Sequence, residues 1–236
     1  MSSDYIETKA KGTVKPKSGA NPRTLQQHQD AAINALDNLN KKFSEYSTLI
    51  VLPTGGGKTY TASTWLLRNA LDKGKKILWL AHRQTLLEQA AESFQKFAFA
   101  TDLPHISSFD YRIISGNSST ERLIDIESKD NILFISKGSL EKSLGDNPKN
   151  IERRKNFDNW LSGENEFFLV IDEAHHSTTK KYREIIDYVK ERVKNLKLIG
   201  LTATPFRTAE SEQGLLAKIY TDGTRDGQSV KNDVTL

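Results

Sequence analysis

The sequence predicts an α/β domain in three layers, with a mostly parallel central sheet between two sets of helices. Three observations predict it. Six short apolar runs of strand length recur along the chain. Amphipathic stripes at helical spacing lie between them. The first apolar run passes straight into a glycine-rich loop that opens a helix, and such alternation places helices on both faces of a parallel sheet.

Taken in order, residues 1–22 are rich in Lys, Ser, Gly and Thr and carry little to bury. They are expected to form a flexible basic arm, because such a segment cannot offset its ordering entropy. From Leu25 onward Ala32, Leu36 and Leu39, flanked by Ile33 and Ala35, repeat with helical spacing. Thr48–Leu52 is a short apolar run ended by Pro53 and three glycines, a buried strand feeding a loop. The next helix starts near Lys58 and stops at Gly74. Lys76–Ala81 is a second buried strand. Leu86, Leu87, Ala90, Ala91, Phe94 and Phe97 then stripe one helix face. Tyr111–Ser115, Ile132–Ile135, Phe167–Ile171 and Leu196–Leu201 complete the six strands. A surface helix is expected around Ile151–Leu161, and Tyr182, Ile185, Ile186, Val189 and Val193 mark another between the last two strands. A short helix at Gly214–Tyr220 and a linker close the chain.

Composition narrows the class. The chain has 236 residues, 36% apolar and 27% charged, and no cysteine. A disulfide framework, an iron–sulfur cluster and a thiolate zinc site are excluded, and a reducing, cytoplasmic setting is expected. His82, His105 and His176 form no zinc-ligand spacing with cysteine. Mean hydropathy is −0.57 and no apolar run reaches the roughly 20 residues that cross a bilayer. Residues 1–22 show no apolar core followed by a small-residue cleavage site, so they are not expected to act as a secretory signal. A net charge of +4 permits a polyanionic partner without requiring one.

Chemistry concentrates at strand ends. Pro53-Thr54-Gly55-Gly56-Gly57-Lys58-Thr59 joins a strand to a helix and reads as a nucleotide phosphate loop, or P-loop. Its glycines let successive amides curl around phosphate oxygens, and the helix start adds a favourable dipole. Lys58 would reach the β- and γ-phosphates of ATP, and the Thr59 hydroxyl would ligate Mg2+. Leu52 stands where the motif usually begins with glycine. The competing reading is a glycine-rich turn beside a surface lysine. Phe167–Ile171 delivers Asp172 and Glu173 to a strand end. Asp172 would hold the metal, and Glu173 would orient and deprotonate the attacking water. Alternatively, both carboxylates cap the following turn.

These motifs, with Asp172-Glu173-Ala174-His175 and Leu201-Thr202-Ala203-Thr204-Pro205, resemble the first RecA-like domain of superfamily 2 helicases and translocases, over about residues 23–207. Their spelling is similar to the type I and type III restriction-subunit branch, which favours DNA over RNA as partner. The resemblance implies further roles. Gln29, in Leu25-Gln26-Gln27-His28-Gln29, would read the adenine edge. Arg83 and Gln84, Ser115 and Gly116, and Ser136 and Lys137 would contact the nucleic-acid backbone, although capping and turn chemistry accounts for these residues equally well. His175 joins Lys58 and Glu173 in the catalytic set by bridging the nucleotide to Thr202 and Thr204, which would couple the two activities. The family sandwiches ATP between two RecA-like domains, the second supplying arginines. About 30 residues follow Pro205. Residues 208–236 are therefore expected to be a linker towards a second RecA-like domain, without which the chain would bind ATP but barely hydrolyse it. An RNA helicase domain, a P-loop regulator with no nucleic-acid role and a non-catalytic interaction module are the alternative classes.

Overall fold

A computed structural model describes residues 9–203, 216–221, 224–225 and 228–229. Thr204, Pro205 and most of the expected linker lie outside the described residues. The six apolar runs emerge as β2 (Tyr46–Val51), β3 (Lys76–Ala81), β4 (Phe109–Ile114), β5 (Asp130–Ser136), β6 (Phe167–Asp172) and β7 (Leu196–Thr202). Each pairs in parallel with its neighbours, in the order β4-β5-β3-β6-β7-β2.

Side chains alternate across the sheet with the two-residue period of a strand. In β3, Ile77, Trp79 and Ala81 face one core, and Leu78 and Leu80 face the other. The first core is covered by α1 (Gln27–Lys42), α2 (Lys58–Asn69) and α3 (Gln84–Phe97), with Trp65, Phe94 and Phe134 filling its centre. The second lies under α4 (Lys137–Glu141), α5 (Pro148–Leu161) and α6 (Lys180–Lys190), built around Phe157, Trp160, Ile185 and Val189. These two cores make the three layers. Among the described residues no helix is long and apolar enough to cross a membrane.

The expected N-terminal arm needs correction. Lys11–Val14 forms β1, antiparallel to β4 at the sheet edge, with Val14 buried. The Lys17 amide donates to the Ala98 carbonyl at 2.9 Å and Lys17 accepts from Ala100 at 2.8 Å, so the segment is tied at two points. Pairing with an open edge supplies the backbone hydrogen bonds that a solvated arm would make to water. Residues 1–8 lie outside the described residues.

The short helix expected at Gly214–Tyr220 is present over residues 216–219. Beyond it the chain departs from a plain linker, since Thr224–Arg225 pairs antiparallel with Gln228–Ser229. Leu216 and Tyr220 enter the second core. The Tyr220 ring lies against β7 where Gly200 leaves room; a Cβ there would come within 2.6 Å of the ring and 2.7 Å of Leu49. The Tyr220 hydroxyl donates to Ser177 at 3.2 Å.

Register brings the functional segments together. Val51 pairs with Thr202, Asp172 with Leu201, Leu80 with Ile171, and Ala81 with Ser136. The C-terminal ends of five strands therefore form one continuous rim.

Candidate active site

The P-loop begins where β2 ends. Leu52 is buried, and its amide donates to the Thr202 carbonyl at 3.1 Å, which fastens the loop to β7. The Gly56 amide returns to the Pro53 carbonyl at 2.8 Å. Gly57 caps α2 in the left-handed region at φ 80°, and a Cβ there would lie 2.4 Å from the Gln29 amide nitrogen. Only glycine meets both conditions. Lys58 and Thr59 consequently sit in the first turn of α2, at the positive end of its dipole.

Gln29 is placed differently from the expectation that it reads adenine. It is 1% exposed; its Nε2 donates to the Gly56 carbonyl and its Oε1 accepts from the Gln26 amide, both at 3.0 Å. The residue shapes the P-loop from beneath. His28 does the same through Nε2, 3.0 Å from the Gly56 carbonyl. His28 has no motif signal along the chain, because the contact that props a loop depends on tertiary approach alone.

Asp172 ends β6 and is 3% exposed. Burial, aided by the charge of Glu173, pushes its carboxyl up to about 6, against the pull of Lys58. Its Oδ1 accepts the Glu173 amide at 3.0 Å. Glu173 adopts φ 53°, the sole positive φ among the described non-glycine residues. Strain of this kind costs about 1–3 kcal/mol and gathers where a side chain must be aimed. His175 Nδ1 lies 3.2 Å from the Thr202 hydroxyl and 3.4 Å from a Glu173 carboxylate oxygen. The structure thus brings His175, Glu173 and Thr202 together. Thr204 lies outside the described residues.

A groove of about 740 Å³ opens along the ends of β3, β4 and β5. It is lined by Gln84, Ser115, Gly116 and Ser136, and also by Arg122, Lys142 and Arg153. Ser136 caps α4, its oxygen accepting the Ser139 amide at 3.1 Å while its hydroxyl reaches the Ser115 carbonyl at 3.2 Å. Gln84 lines the groove, where its amide oxygen accepts from Ser115 and Asn117 and its nitrogen donates to Glu88. Lys137 pairs with Glu141 on its own helix. Arg83 is exposed at the start of α3. Neither Arg83 nor Lys137 lines the groove. Asn117, Arg122, Lys142 and Arg153 carry no spacing signal in the sequence, because they are scattered over separate loops and helices that only the fold brings to one groove.

A parallel sheet with a P-loop at one strand end and adjacent carboxylates at another defines a P-loop NTPase of RecA-like architecture. Residues 23–207 match the family described as "Type III restriction enzyme, res subunit", and the chain belongs to that family. It is 25% identical to ATP-dependent DNA helicase mph1 of Aspergillus fumigatus over 185 residues, covering 76% of this chain and 15% of the relative. It is 32% identical over 210 residues to the Type I restriction enzyme EcoAI endonuclease subunit of Escherichia coli, covering 82% of this chain and 20% of that subunit. The chain therefore spans a minor part of these relatives' length. The fold is shared with the Pyrococcus furiosus Hef helicase domain, at 24% identity and TM-score 0.56, over 85% of this chain and 38% of that one. It is also shared with the Sulfolobus solfataricus SWI2/SNF2 ATPase core solved with dsDNA, at 18% identity and TM-score 0.55, over 85% and 36%. The architecture is that of the first RecA-like domain of superfamily 2 helicases.

Proposed function

We propose that this chain is the nucleotide-binding half of an ATP-driven helicase or translocase acting on DNA. One observation carries the reading: strand register sets the P-loop, the Asp172–Glu173 pair, the His175–Thr202 contact and the groove on a single rim. Lys58 and the P-loop amides bind the β- and γ-phosphates. Thr59 and Asp172 would hold Mg2+, and the fit is physical: both offer hard oxygen donors, and a desolvated carboxyl held near 6 gains from a neighbouring dication. Bound there, the ion would neutralise charge on the phosphate oxygens. Glu173, aimed by its strained backbone, orients water and takes its proton.

Its similarity to an ATP-dependent DNA helicase and to a type I restriction endonuclease subunit favours DNA. Phosphates would lie along the Ser115–Gly116 turn and the Ser136 cap, with Arg83 and Lys137 flanking and Arg122, Lys142 and Arg153 lining the same groove. Contacts to phosphate make binding insensitive to sequence and steeply salt-dependent. Absence of cysteine fits a reducing, cytoplasmic setting.

Transition-state charge calls for an arginine from a second RecA-like domain, worth about a thousandfold or more in rate. Steady-state phosphate release tests the reading. The chain alone should turn over barely above background, and addition of the second domain with duplex DNA should restore the rate. Glu173→Gln should then abolish it. Brisk turnover by the chain alone, unaffected by Glu173→Gln, contradicts the reading.

A further inference from the structure

Three of the five histidines meet at one place on the rim. His82 follows the last residue of β3 and lines the groove. His175 and His176 lie in the 3-10 turn Ala174–Thr178 that follows Glu173. The His82 and His176 rings meet edge-on with centroids 4.9 Å apart, and the His175 and His176 rings meet tilted at 45° with centroids 4.1 Å apart. His175 then reaches both Thr202 and Glu173 through Nδ1. The result is a continuous run of imidazole contacts from the groove wall to the carboxylate assigned to water activation.

His82 and His176 are both exposed, so core packing does not explain why their rings adjoin. The groups around His82 are His176, Arg83 and Glu173; partial desolvation, aided by His176 and Arg83, holds its imidazole below the ordinary range against Glu173. A neutral ring packs against another without charge repulsion. The far end of the run has two states. A bare His175 Nδ1 accepts from the Thr202 hydroxyl, whereas an Nδ1–H donates to Glu173. Because the rings adjoin, displacement of His176 changes the surroundings of both His82 and His175.

Resting on the nucleotide and nucleic-acid reading above, we propose that His82 and His176 are positioning residues that relay occupancy of the groove to the His175–Glu173–Thr202 set, and nucleotide occupancy back to the groove. The relay needs ring contact between His82, His176 and His175, not a hydrogen bond between them.

Ring resonances of the histidine-labelled full chain test this. His28, hydrogen-bonded to the P-loop, reports nucleotide binding directly, and His105, held by Asp72, serves as the remote control. Addition of Mg·ADP should shift His28 and also His82 in the wild type. In His176→Ala the His82 shift should vanish while the His28 shift stays, and His176→Phe should restore it. A His82 shift that survives in His176→Ala, or a His82 that stays silent in the wild type while His28 moves, overturns the relay. Silence of His28 instead overturns the nucleotide reading, and the relay with it.

Discussion

Asp172→Asn should stabilise the ligand-free chain at neutral pH while destroying its response to Mg·ADP. The carboxyl is buried and its pKa rises from 3.8 to about 6. The folded chain therefore binds this proton more tightly than the unfolded chain does. Below about pH 4 both states are protonated and nothing is lost. As pH rises through 4 to 6 the unfolded carboxyl ionises first, so folding stability falls. Above that window the folded state carries the whole penalty, a displacement of about two pH units, or about 3 kcal/mol. Asparagine keeps an oxygen to accept the Glu173 amide, now at 3.0 Å, and carries no charge. Urea unfolding at about pH 8 should show the variant more stable by up to about 3 kcal/mol, and the difference should shrink towards about pH 4. Mg·ADP should raise the wild-type midpoint and leave the variant unmoved. A variant less stable than wild type at about pH 8, or a difference independent of pH, would refute the assignment of Asp172 as a desolvated carboxyl.

Gly57→Ala should abolish Mg·ADP binding by calorimetry and cost about 1–3 kcal/mol in urea unfolding, because a Cβ at φ 80° collides with Gln29. Arg112→Met removes a buried guanidinium from Asp130, Glu121 and Glu127, and leaves Asp130 uncompensated at 2% exposure. Chemical unfolding should record a loss of about 3–5 kcal/mol. Gly200→Ala should push the Tyr220 ring off β7, which hydrogen exchange would register as lost protection at the Tyr220 amide, now bonded to Leu216 at 2.9 Å.

Most of the sheet was legible because a parallel strand is buried on both faces and reads as an uninterrupted apolar run. Phe167–Ile171 and Leu78–Ala81 are such runs, and their motif residues stand at the ends where the chain leaves the sheet. Lys11–Val14 is not legible in this way. Only Val14 is buried, and the strand exists because β4 offers an unpaired edge 97 residues away, as in the contact of Thr13 with Asp110. Gln29 and Gln84 illustrate a second limit. Their amides suit base or phosphate recognition, yet folding turns them onto the Gly56 carbonyl and the Ser115–Asn117 turn. Which partner an amide takes is decided by tertiary approach, and spacing along the chain does not encode it. Lys197 makes the same point inside β7: its cation is buried beside Glu166 and Asn40, with the Phe168 ring 5.2 Å away, within a run that reads as purely apolar apart from it.

The central claim is that the Pro53–Thr59 loop is a phosphate site serving Asp172 and Glu173. Calorimetric titration of ADP into the full chain, with and without magnesium and repeated in Lys58→Ala, tests it most directly. The account predicts magnesium-dependent binding with one site per chain, lost or strongly weakened in Lys58→Ala because that cation is the P-loop's own. Equal affinity in the wild type and Lys58→Ala, or binding indifferent to magnesium, would contradict it.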